Sequence, residues 1–323
     1  YPRIDIPQIR DLGFIIADDQ GFWVELRRLG DYRISLPKPY VPAVEIVHRH
    51  TRFTFTLQIC PSQRRDVLLL RYKLEGDASL HPYALLSTRL GGDAEKNLAF
   101  VAEHNGRRVL QAEQGPFGLA LMASGETGAD VWKRCSVGCT QESDGWQDFK
   151  RHGRMTWEYD SAGPGAVALM GELPSQATLA LGFGATMNSA ATLAMSSLFE
   201  DFSAIWDAQC RAWETWFKSC HLPDLPPGLQ RMLALSGTVL KVHEDRTYCG
   251  AMVASLAVPW GEDSQSRGGY HLVWCRDLVE TAGALVAMGS LEDARDVLRY
   301  LIATQQADGH WLQNQWLGGD AFW

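Results

Sequence analysis

The sequence has 323 residues, of which 46% are hydrophobic and 21% charged, a composition typical of a folded chain of about two domains. Its formal net charge of −8 repels phosphate backbones, so we expect no nucleic acid partner and consider neutral substrates a better fit. No run of about 18 apolar residues is present, so we expect no membrane partner either.

Seven cysteines stand at irregular spacings, and their odd number leaves at least one thiol unpaired within the chain. A disulfide framework is therefore not indicated, which favours a reducing, cytoplasmic compartment. Cys135 and Cys139 have no second pair or histidine set to complete a zinc site, so we expect no metal and no other cofactor. Tyr1 opens directly into patterned sequence without an initiator methionine. We therefore expect the natural N-terminus to lie upstream, which leaves the compartment open.

Residues 1–195 have the pattern of a β-sandwich. Apolar and polar residues alternate over 52–59, which predicts a half-buried strand, and the denser apolar run 67–74 predicts a more buried one. Runs at 167–169 and 179–183 continue the strand pattern. Turn-forming sequences separate the runs without intervening amphipathic helices: Gly91-Gly92-Asp93, Asn105-Gly106, Asp144-Gly145 and Gly163-Pro164-Gly165. Many short strands with frequent turns predict an antiparallel sandwich.

The hydrophobic period changes near residue 196. Large apolar residues then recur at close to 3.6 positions, which predicts a helix whose aromatic stripe packs against one or both flanking domains: Leu198, Phe202, Ile205, Trp206, Trp213 and Trp216. The prolines of 223–227 end this helix. We predict that 196–227 is a helical linker.

From residue 228 the pattern is helical. The first helix has one apolar face, made of Leu229, Met232, Leu233, Ser236, Val239 and Leu240. A second helix is predicted over 278–288 with Gly289 as its C-terminal stop, and Ser290 with Asp293 predicts an acidic capping box for a third. The short link makes these two helices antiparallel neighbours. The third helix has an apolar side of Leu291, Ala294, Val297, Leu298, Leu301 and Ile302.

Two loops, 257–277 and 308–323, mix aromatic and polar residues. Arg276-Asp277 stands just before a helix and follows Trp274. Asp277 is suited to capping that helix, but an arginine gains nothing from a helix N-terminus. A guanidinium fork beside a carboxylate offers the donors and acceptors that neighbouring sugar hydroxyls need, and Trp274 offers a stacking face. The twelve tryptophans by themselves fit core filling as well as sugar binding.

Other groups in these loops favour ordinary structural roles. The guanidinium and the helix N-terminus both favour the ionised form of Asp277, whereas a catalytic acid must carry a proton. Glu262-Asp263 is read as a solvated charge pair and His271 as a structural residue. Gly268-Gly269 lacks the fingerprint of a phosphate-binding loop.

Several separated segments resemble bacterial glucoamylases and glucodextranases. The segments 250–261 and 269–278, the latter reading Gly-Tyr-His-Leu-Val-Trp-Cys-Arg-Asp-Leu, closely resemble the start of that family's catalytic barrel. The segment 313–323 resembles its next active-site loop. Four further segments resemble its β-sandwich domain: 1–5, 10–14, 143–148 and 155–160.

The resemblance implies a multidomain fold, β then α: an N-terminal antiparallel β-sandwich, a helical linker, and over 228–323 the first part of an (α/α) barrel of six helical hairpins. It also implies release of glucose from non-reducing ends of α-glucans with inversion, one glutamic acid protonating the leaving oxygen and another activating water. The family's Trp-x-Arg-Asp pattern holds the terminal glucose. The implied substrate-binding residues are Tyr270, Trp274, Arg276, Asp277, Trp316 and Trp323.

Both family glutamates are expected beyond Trp323, so the resemblance places no catalytic residue in this chain. The implied partners are an α-glucan or oligosaccharide substrate and the remainder of the same polypeptide or a complementary chain. Three residues depart from the family pattern: Cys275 stands where Pro or Thr is usual, Gly318 where Asp is expected, and Phe322 where Tyr is expected. The last two leave the preferred linkage open.

Two alternatives remain at this point, a trehalase of the same family and a non-catalytic glycan-binding remnant. A phosphorylase with a similar sandwich and barrel is less favoured, because no motif here resembles that group. A glutamate in each of two downstream barrel loops would indicate an enzyme. We also expect that these residues alone leave apolar helix faces without partners.

Overall fold

The computed structural model describes residues 3–125, 128–256 and 269–322. The first part of the chain is mainly strands: β1 (Ile9–Ala17), β2 (Trp23–Glu25), β3 (Tyr32–Ser35), β4 (Val44–His50), β5 (Phe53–Pro61), β6 (Val67–Gly76), β7 (His81–Thr88), β8 (Asn97–His104), β9 (Arg107–Gln114), β10 (Phe117–Ser124), β11 (Cys135–Cys139), β12 (Ser161–Gly165), β13 (Val167–Glu172) and β14 (Gln176–Gly184). A short helix, α1 (Gly145–His152), lies between β11 and β12. Short 3-10 turns occupy Leu26–Arg28, Leu90–Gly92 and Gly269–His271.

Two antiparallel sheets enclose one core. The described strands form a five-stranded sheet, in the order β11-β13-β7-β1-β2, and a nine-stranded sheet, in the order β12-β8-β9-β10-β14-β6-β5-β4-β3. Phe14 from the first sheet meets Phe55 and Tyr72 from the second, with ring centroids 5.1 and 5.5 Å apart. Because these side chains are almost fully buried, the core gains the free energy of removing large apolar surfaces from water. The predicted antiparallel sandwich is confirmed.

The alternation predicted over 52–59 is present in β5. Phe53, Phe55 and Leu57 are buried in the inter-sheet core, and the threonines between them are half-buried. Cys60 points the other way and is buried as well, because helices cover the outer face of the sheet there. All seven cysteines are free.

Two predicted turns are wrong. Asp144 is instead the N-cap of α1, with its carboxylate accepting a hydrogen bond from the backbone N–H of Gln147 at 3.0 Å. The Gly163-Pro164-Gly165 segment lies inside strand β12, which pairs with β8 at the edge of the larger sheet. Proline is compatible with an edge position because it has no N–H to donate to a further strand.

Two helices, rather than the single predicted one, lead out of the sandwich. Helix α2 (Met187–Leu198) begins nine residues before the predicted start, and α3 (Phe202–Ser219) begins after a break at which Asp201 caps its N-terminus. Close approach of α2 to the larger sheet requires glycine at position 182, because a Cβ there would lie 2.3 Å from the carbonyl oxygen of Ala190. The bounds 1–195, 196–227 and 228–323 stay predictions, although the described strands of both sheets end by Gly184.

The aromatic stripe of α3 contacts both neighbouring regions. Phe202 and Ile205 are buried against the outer face of the larger sheet. At the other end of the helix, the indole N–H of Trp216 donates a hydrogen bond to Asp293 at 2.7 Å.

The helical region contains α4 (Pro227–Val242), α5 (Cys275–Ala287), α6 (Leu291–Thr304) and the short strands β15 (Val273–Trp274) and β16 (Asn314–Gln315). Gly289 ends α5 as predicted, with a φ of 71°. The predicted capping box differs, since the Ser290 side chain makes no capping bond to the backbone and instead donates its hydroxyl to the Asp293 carboxylate. No helix in the described ranges is long and apolar enough to cross a membrane.

A buried carboxylate fixes the chain that follows α1. Asp148 accepts hydrogen bonds from the backbone N–H groups of Thr156 at 2.6 Å and Trp157 at 2.7 Å, and from the Thr156 hydroxyl at 2.6 Å. Burial acts to raise the pKa of Asp148, but these hydrogen bonds outweigh it, so that the pKa lies below its ordinary value. The carboxylate therefore contributes stability that is complete above the ordinary pKa of about 4 and is lost as the pH falls through the lower folded value.

We predict that Asp148→Asn lowers the free energy of unfolding of the sandwich by about 1–3 kcal/mol, because the amide turns one acceptor into a donor facing N–H groups. Urea unfolding followed by tryptophan fluorescence measures this loss. The loss should shrink as the pH falls below about 4, because the carboxylate then takes up a proton first in the unfolded chain and only at still lower pH in the folded protein. Glu142→Gln, at an exposed position, serves as the control and should change stability by less than about 0.5 kcal/mol. Equal stability of Asp148→Asn and wild type at neutral pH would contradict the assignment.

Candidate substrate-binding site

Two short strands bring the two unusual loops together. Trp274 of β15 pairs with Asn314 of β16, and Val273 pairs with Gln315. The backbone N–H of Cys275 extends the pairing by donating to the Gln313 carbonyl at 3.4 Å. The segments predicted to carry function, 257–277 and 308–323, thus meet at the start of α5.

Arg276 and Asp277 occupy the first turn of α5. The N-cap of this helix is Trp274, so the hypothesis that Asp277 is the cap is wrong. A carboxylate in the first helical turn is nevertheless stabilised by the partial positive charge of the helix N-terminus. Arg276 is exposed and Asp277 half-buried, and neither side chain forms an ion pair within the described part of the chain.

A cavity of about 260 Å³ opens beside this turn. Arg276, Asp277, Glu280 and Thr281 line it from α5, and the segment 252–254 lines it from the other side. Glu280 and Thr281 were missed by the sequence reasoning. Glu280 lies four residues after Arg276, and Thr281 lies four residues after Asp277. This spacing was an available signal, because residues four apart are neighbours on the surface of a helix.

The buried side chain of Tyr300 positions the loop that carries Trp316. The Tyr300 hydroxyl accepts a hydrogen bond from the Gln315 side-chain amide at 3.0 Å and donates to the Leu317 carbonyl at 3.1 Å. Burial raises the pKa of Tyr300 to about 12, so the hydroxyl keeps its proton at neutral pH. Trp316 packs edge-on against Phe322, with ring centroids 5.6 Å apart.

Two buried polar atoms of β16 lack hydrogen-bond partners within the described residues: the side-chain nitrogen of Asn314 and the side-chain oxygen of Gln315. An unpaired buried polar atom costs about 1–3 kcal/mol, so such atoms are most often found where another group completes the bond. Asn314 is the strand partner of Trp274, which places one of these atoms at the meeting point of the two loops.

The predicted residues do not all reach one cavity. Trp274 and Trp316 lie on the adjoining strands and loop, and Tyr270, 44% exposed, lies in the turn before β15; none of the three lines the cavity that contains Arg276 and Asp277. Trp323 falls outside the described residues, as do Glu262-Asp263 and Gly268.

The histidine near this site favours a structural role. Burial lowers the pKa of His271, which keeps the ring neutral at physiological pH. No group of three or more His, Cys, Asp or Glu side chains within the described ranges is arranged to hold a metal ion.

Comparison with known proteins identifies the family. Residues 1–218 match the family described as Glucodextranase, domain N, and residues 229–310 match Glycosyl hydrolases family 15. The chain belongs to the glucodextranase and glucoamylase family. Over 335 aligned residues it is 28% identical to a glucoamylase of Clostridium sp. (strain G0005), an alignment that covers 100% of this chain and 47% of that relative.

Solved structures give the same assignment. A bacterial glucoamylase in complex with acarbose has a TM-score of 0.91 and 26% identity, over 100% of this chain and 48% of that one. The chain therefore spans about half the length of these relatives. A protein described as a kojibiose phosphorylase from the human microbiome has a TM-score of 0.52 and 9% identity, over 92% of this chain and 39% of its own, which shows similarity of fold alone. The predicted order, a sandwich followed by helices of an (α/α) barrel, is confirmed.

We predict that Tyr300→Phe loosens the Trp316 loop, because it leaves the Gln315 amide and the Leu317 carbonyl without their shared partner. The expected cost is about 1–3 kcal/mol of local stability, so amide hydrogen exchange over 311–322 should accelerate by about tenfold or more. Tyr32→Phe, at a tyrosine of the sandwich that is 53% exposed, is the matched control and should leave this exchange unchanged. Unchanged exchange in both variants would show that the hydroxyl does not hold the loop.

Proposed function

We propose that this chain supplies the terminal-glucose site of an inverting α-glucan exo-hydrolase. The observation that carries the proposal is the placement of Arg276 and Asp277 side by side in the first turn of α5, lining a cavity next to the Trp274–Asn314 strand pair. The acarbose complex of the related bacterial glucoamylase supports an oligosaccharide as the ligand.

Paired charged groups discriminate strongly between sugars. A hydroxyl both donates and accepts, so a guanidinium and a carboxylate together can satisfy two adjacent hydroxyls. A ligand that lacks one of these hydroxyls leaves a charged group unpaired, which costs more than the absence of an apolar contact. The unpaired amide nitrogen of Asn314 offers a further donor at the same end of α5.

In this proposal Asp277 holds the substrate and does not transfer a proton. The reaction implied by the family uses one protonated glutamic acid and one glutamate that activates water, whereas residue 277 is an aspartate. We place both glutamates in polypeptide beyond Trp323, and assign no catalytic residue to the present chain.

Exposed apolar side chains support a partner for the helical region. Val297 is fully buried, but other large apolar side chains of α4, α5 and α6 are about half exposed or more: Leu229, Met232, Val239, Val279, Val286, Leu298 and Ile302. Burying such side chains contributes about 25 cal/mol per Å². We propose that the remainder of the same polypeptide, or a complementary chain, covers these faces as further barrel helices.

We predict that in the full-length enzyme Asp277→Asn and Arg276→Lys weaken glucoside binding and slow turnover without unfolding the protein. The amide replaces an acceptor with a donor, and the lysine cannot reproduce the guanidinium fork. Loss of a charged hydrogen bond of about 1.5–3 kcal/mol corresponds to about a 10- to 100-fold fall in kcat/KM. Steady-state glucose release measures this fall.

The matched controls for these variants are Asp224→Asn and Arg231→Lys, at exposed positions away from the cavity. Both should keep wild-type kcat/KM. Full activity of either Asp277→Asn or Arg276→Lys would contradict the substrate-holding role.

We predict that the 323 residues alone do not hydrolyse glucosides, because the acid and base are proposed to lie outside them. Loss of such a group removes a factor of roughly 100 to 10,000 in rate. Glucose release from maltose, isomaltose and trehalose should therefore be at background for the isolated chain and substantial for the full-length protein.

The same substrates separate the remaining alternatives. Trehalose as the preferred substrate of the full-length protein would favour a trehalase, and binding without turnover of any of them would favour a glycan-binding remnant. Turnover by the isolated chain above trace level would overturn the placement of the catalytic glutamates.

A further inference from the structure

A second cavity lies on the sandwich, on the outer face of the five-stranded sheet. Its volume is about 390 Å³, larger than that of the cavity at α5 and within the range of small-ligand sites. Gly13, Leu85, Ser87 and Ala168 form its floor, where β1, β7 and β13 run side by side. The floor is hollow because Gly13, Ser87 and Ala168 are small residues, and a Cβ at Gly13 would meet no atom within 4 Å.

Positively and negatively charged side chains line the walls of this cavity in equal number. Three arginines and three carboxylates line it: Arg10, Arg27, Arg28, Asp11, Glu25 and Asp144. Several are already paired with one another. Arg27 contacts Asp11 at 2.6 Å and also Glu25, while Arg28 contacts Glu25 at 2.7 Å. Because the formal charges cancel, the cavity offers no net attraction to a strongly charged ligand, whereas its many donors and acceptors suit a neutral polar one.

Several polar side chains that line the same cavity make no side-chain hydrogen bond within the described residues. The Thr140 hydroxyl oxygen is buried and has no hydrogen-bond partner in the described part of the chain. The side chains of Ser87, Gln141 and Gln147 also line the cavity, and no side-chain hydrogen bond is formed by them among the described residues. Since an unpaired buried hydroxyl costs about 1–3 kcal/mol, a ligand hydroxyl that completes the bond gains affinity at this point.

An indole adds an apolar surface to the polar wall. Trp146 is held by a hydrogen bond from its ring N–H to Glu25 at 3.3 Å, and the Arg28 guanidinium lies 5.3 Å from its ring centre. Together with Leu85 in the floor, it gives the cavity the combination of apolar contact and dispersed polar groups that suits the two faces and the rim of a sugar ring.

We propose that this cavity of the sandwich is a second carbohydrate site, which binds the uncharged rings of a gluco-oligosaccharide away from the barrel. The lining of the cavity by itself favours an uncharged polyhydroxylated ligand. The choice of glucose units rests on the proposed function. Such a site tethers a glucan chain to the enzyme and raises the local concentration of its ends.

Filling the cavity tests the proposal. Gly13→Leu places a side chain in open space on the cavity floor, so we expect a folded protein with less room for the ligand. Gly228→Leu is the matched control, because a Cβ there also meets no atom within 4 Å but the residue is exposed on α4, outside the sandwich. Trp146→Phe is a milder second variant that removes the indole N–H.

Hydrogen–deuterium exchange of the full-length protein measures binding at each site separately. It is recorded without sugar and with maltotriose or isomaltotriose in which sulfur replaces the glycosidic oxygens, so that the enzyme does not consume the ligand. We expect either sugar to slow exchange over 140–147 in wild type, in Gly228→Leu and in Asp277→Asn. Gly13→Leu should raise the sugar concentration needed for half-maximal protection of 140–147 by about tenfold or more, and Trp146→Phe should raise it by less.

Several outcomes would overturn the second site. These are no protection of 140–147 in wild type by either sugar, protection of Gly13→Leu at the same sugar concentrations that protect wild type, or protection by sulfate that the sugars do not give. Failure of the proposed function would give a different result. The sugars would then leave exchange over 269–281 unchanged, whether or not they protect 140–147.

Discussion

The buried carboxylate of Asp293 is the contact on which the arrangement of the helical region depends. It accepts hydrogen bonds from the Trp216 indole of α3 and the Lys241 ammonium of α4, each at 2.7 Å, and from the Ser290 hydroxyl at the start of its own helix. Burial opposes the ionised form, but the three donors outweigh it, and the pKa of Asp293 lies below its ordinary value. Removing any donor would leave a buried charge partly unpaired, which is far more costly than losing a surface ion pair.

This junction also determines where the candidate glucose site lies. Asp293 fixes the beginning of α6, and Tyr300, two turns further along the same helix, holds the Gln315 side chain and the Leu317 carbonyl. Gln315 in turn pairs with Val273, directly before the turn that carries Arg276 and Asp277. The position of the proposed substrate-holding pair, Arg276 and Asp277, thus follows from a chain of buried polar contacts that begins at the linker helix. Loops supported in this way can carry exposed polar residues without losing their geometry.

The two cavities differ in the polar groups that they offer to a ligand. At α5 an arginine and an aspartate line a small cavity at a helix N-terminus, and neither is paired with another described residue. On the sandwich the charges largely satisfy one another, and the unpaired groups are hydroxyls and amides. Unpaired charges favour tight, selective binding of one sugar unit, whereas a neutral polar wall favours weaker binding that tolerates variation in the ligand.

The helices show where local pattern was insufficient. The apolar face predicted for α4 exists, but Leu229, Met232 and Val239 are about half exposed or more, and the helix instead buries Ala234, Gly237 and Thr238. A Cβ at Gly237 would lie 2.1 Å from the Met288 side chain, so this face is selected by close packing rather than by hydrophobicity. Periodicity reports how apolar a face is, but it carries no information about which neighbour will be present to cover it.

The sequence by itself determined the fold class, because alternation in β5 and 3.6-residue spacing in the helices follow from local backbone geometry. It also indicated Arg276 and Asp277, since an arginine gains nothing from a helix N-terminus and, beside a carboxylate and a tryptophan, suits the binding of sugar hydroxyls. Only the tertiary structure showed that Trp274 is the N-cap, that Glu280 joins the cavity wall, and that Thr140, Ser87 and Gln147 face one hollow on the sandwich. Ser87 is far from Thr140 and Gln147 in the chain, and only the pairing of β7 and β11 with β13 brings these residues together.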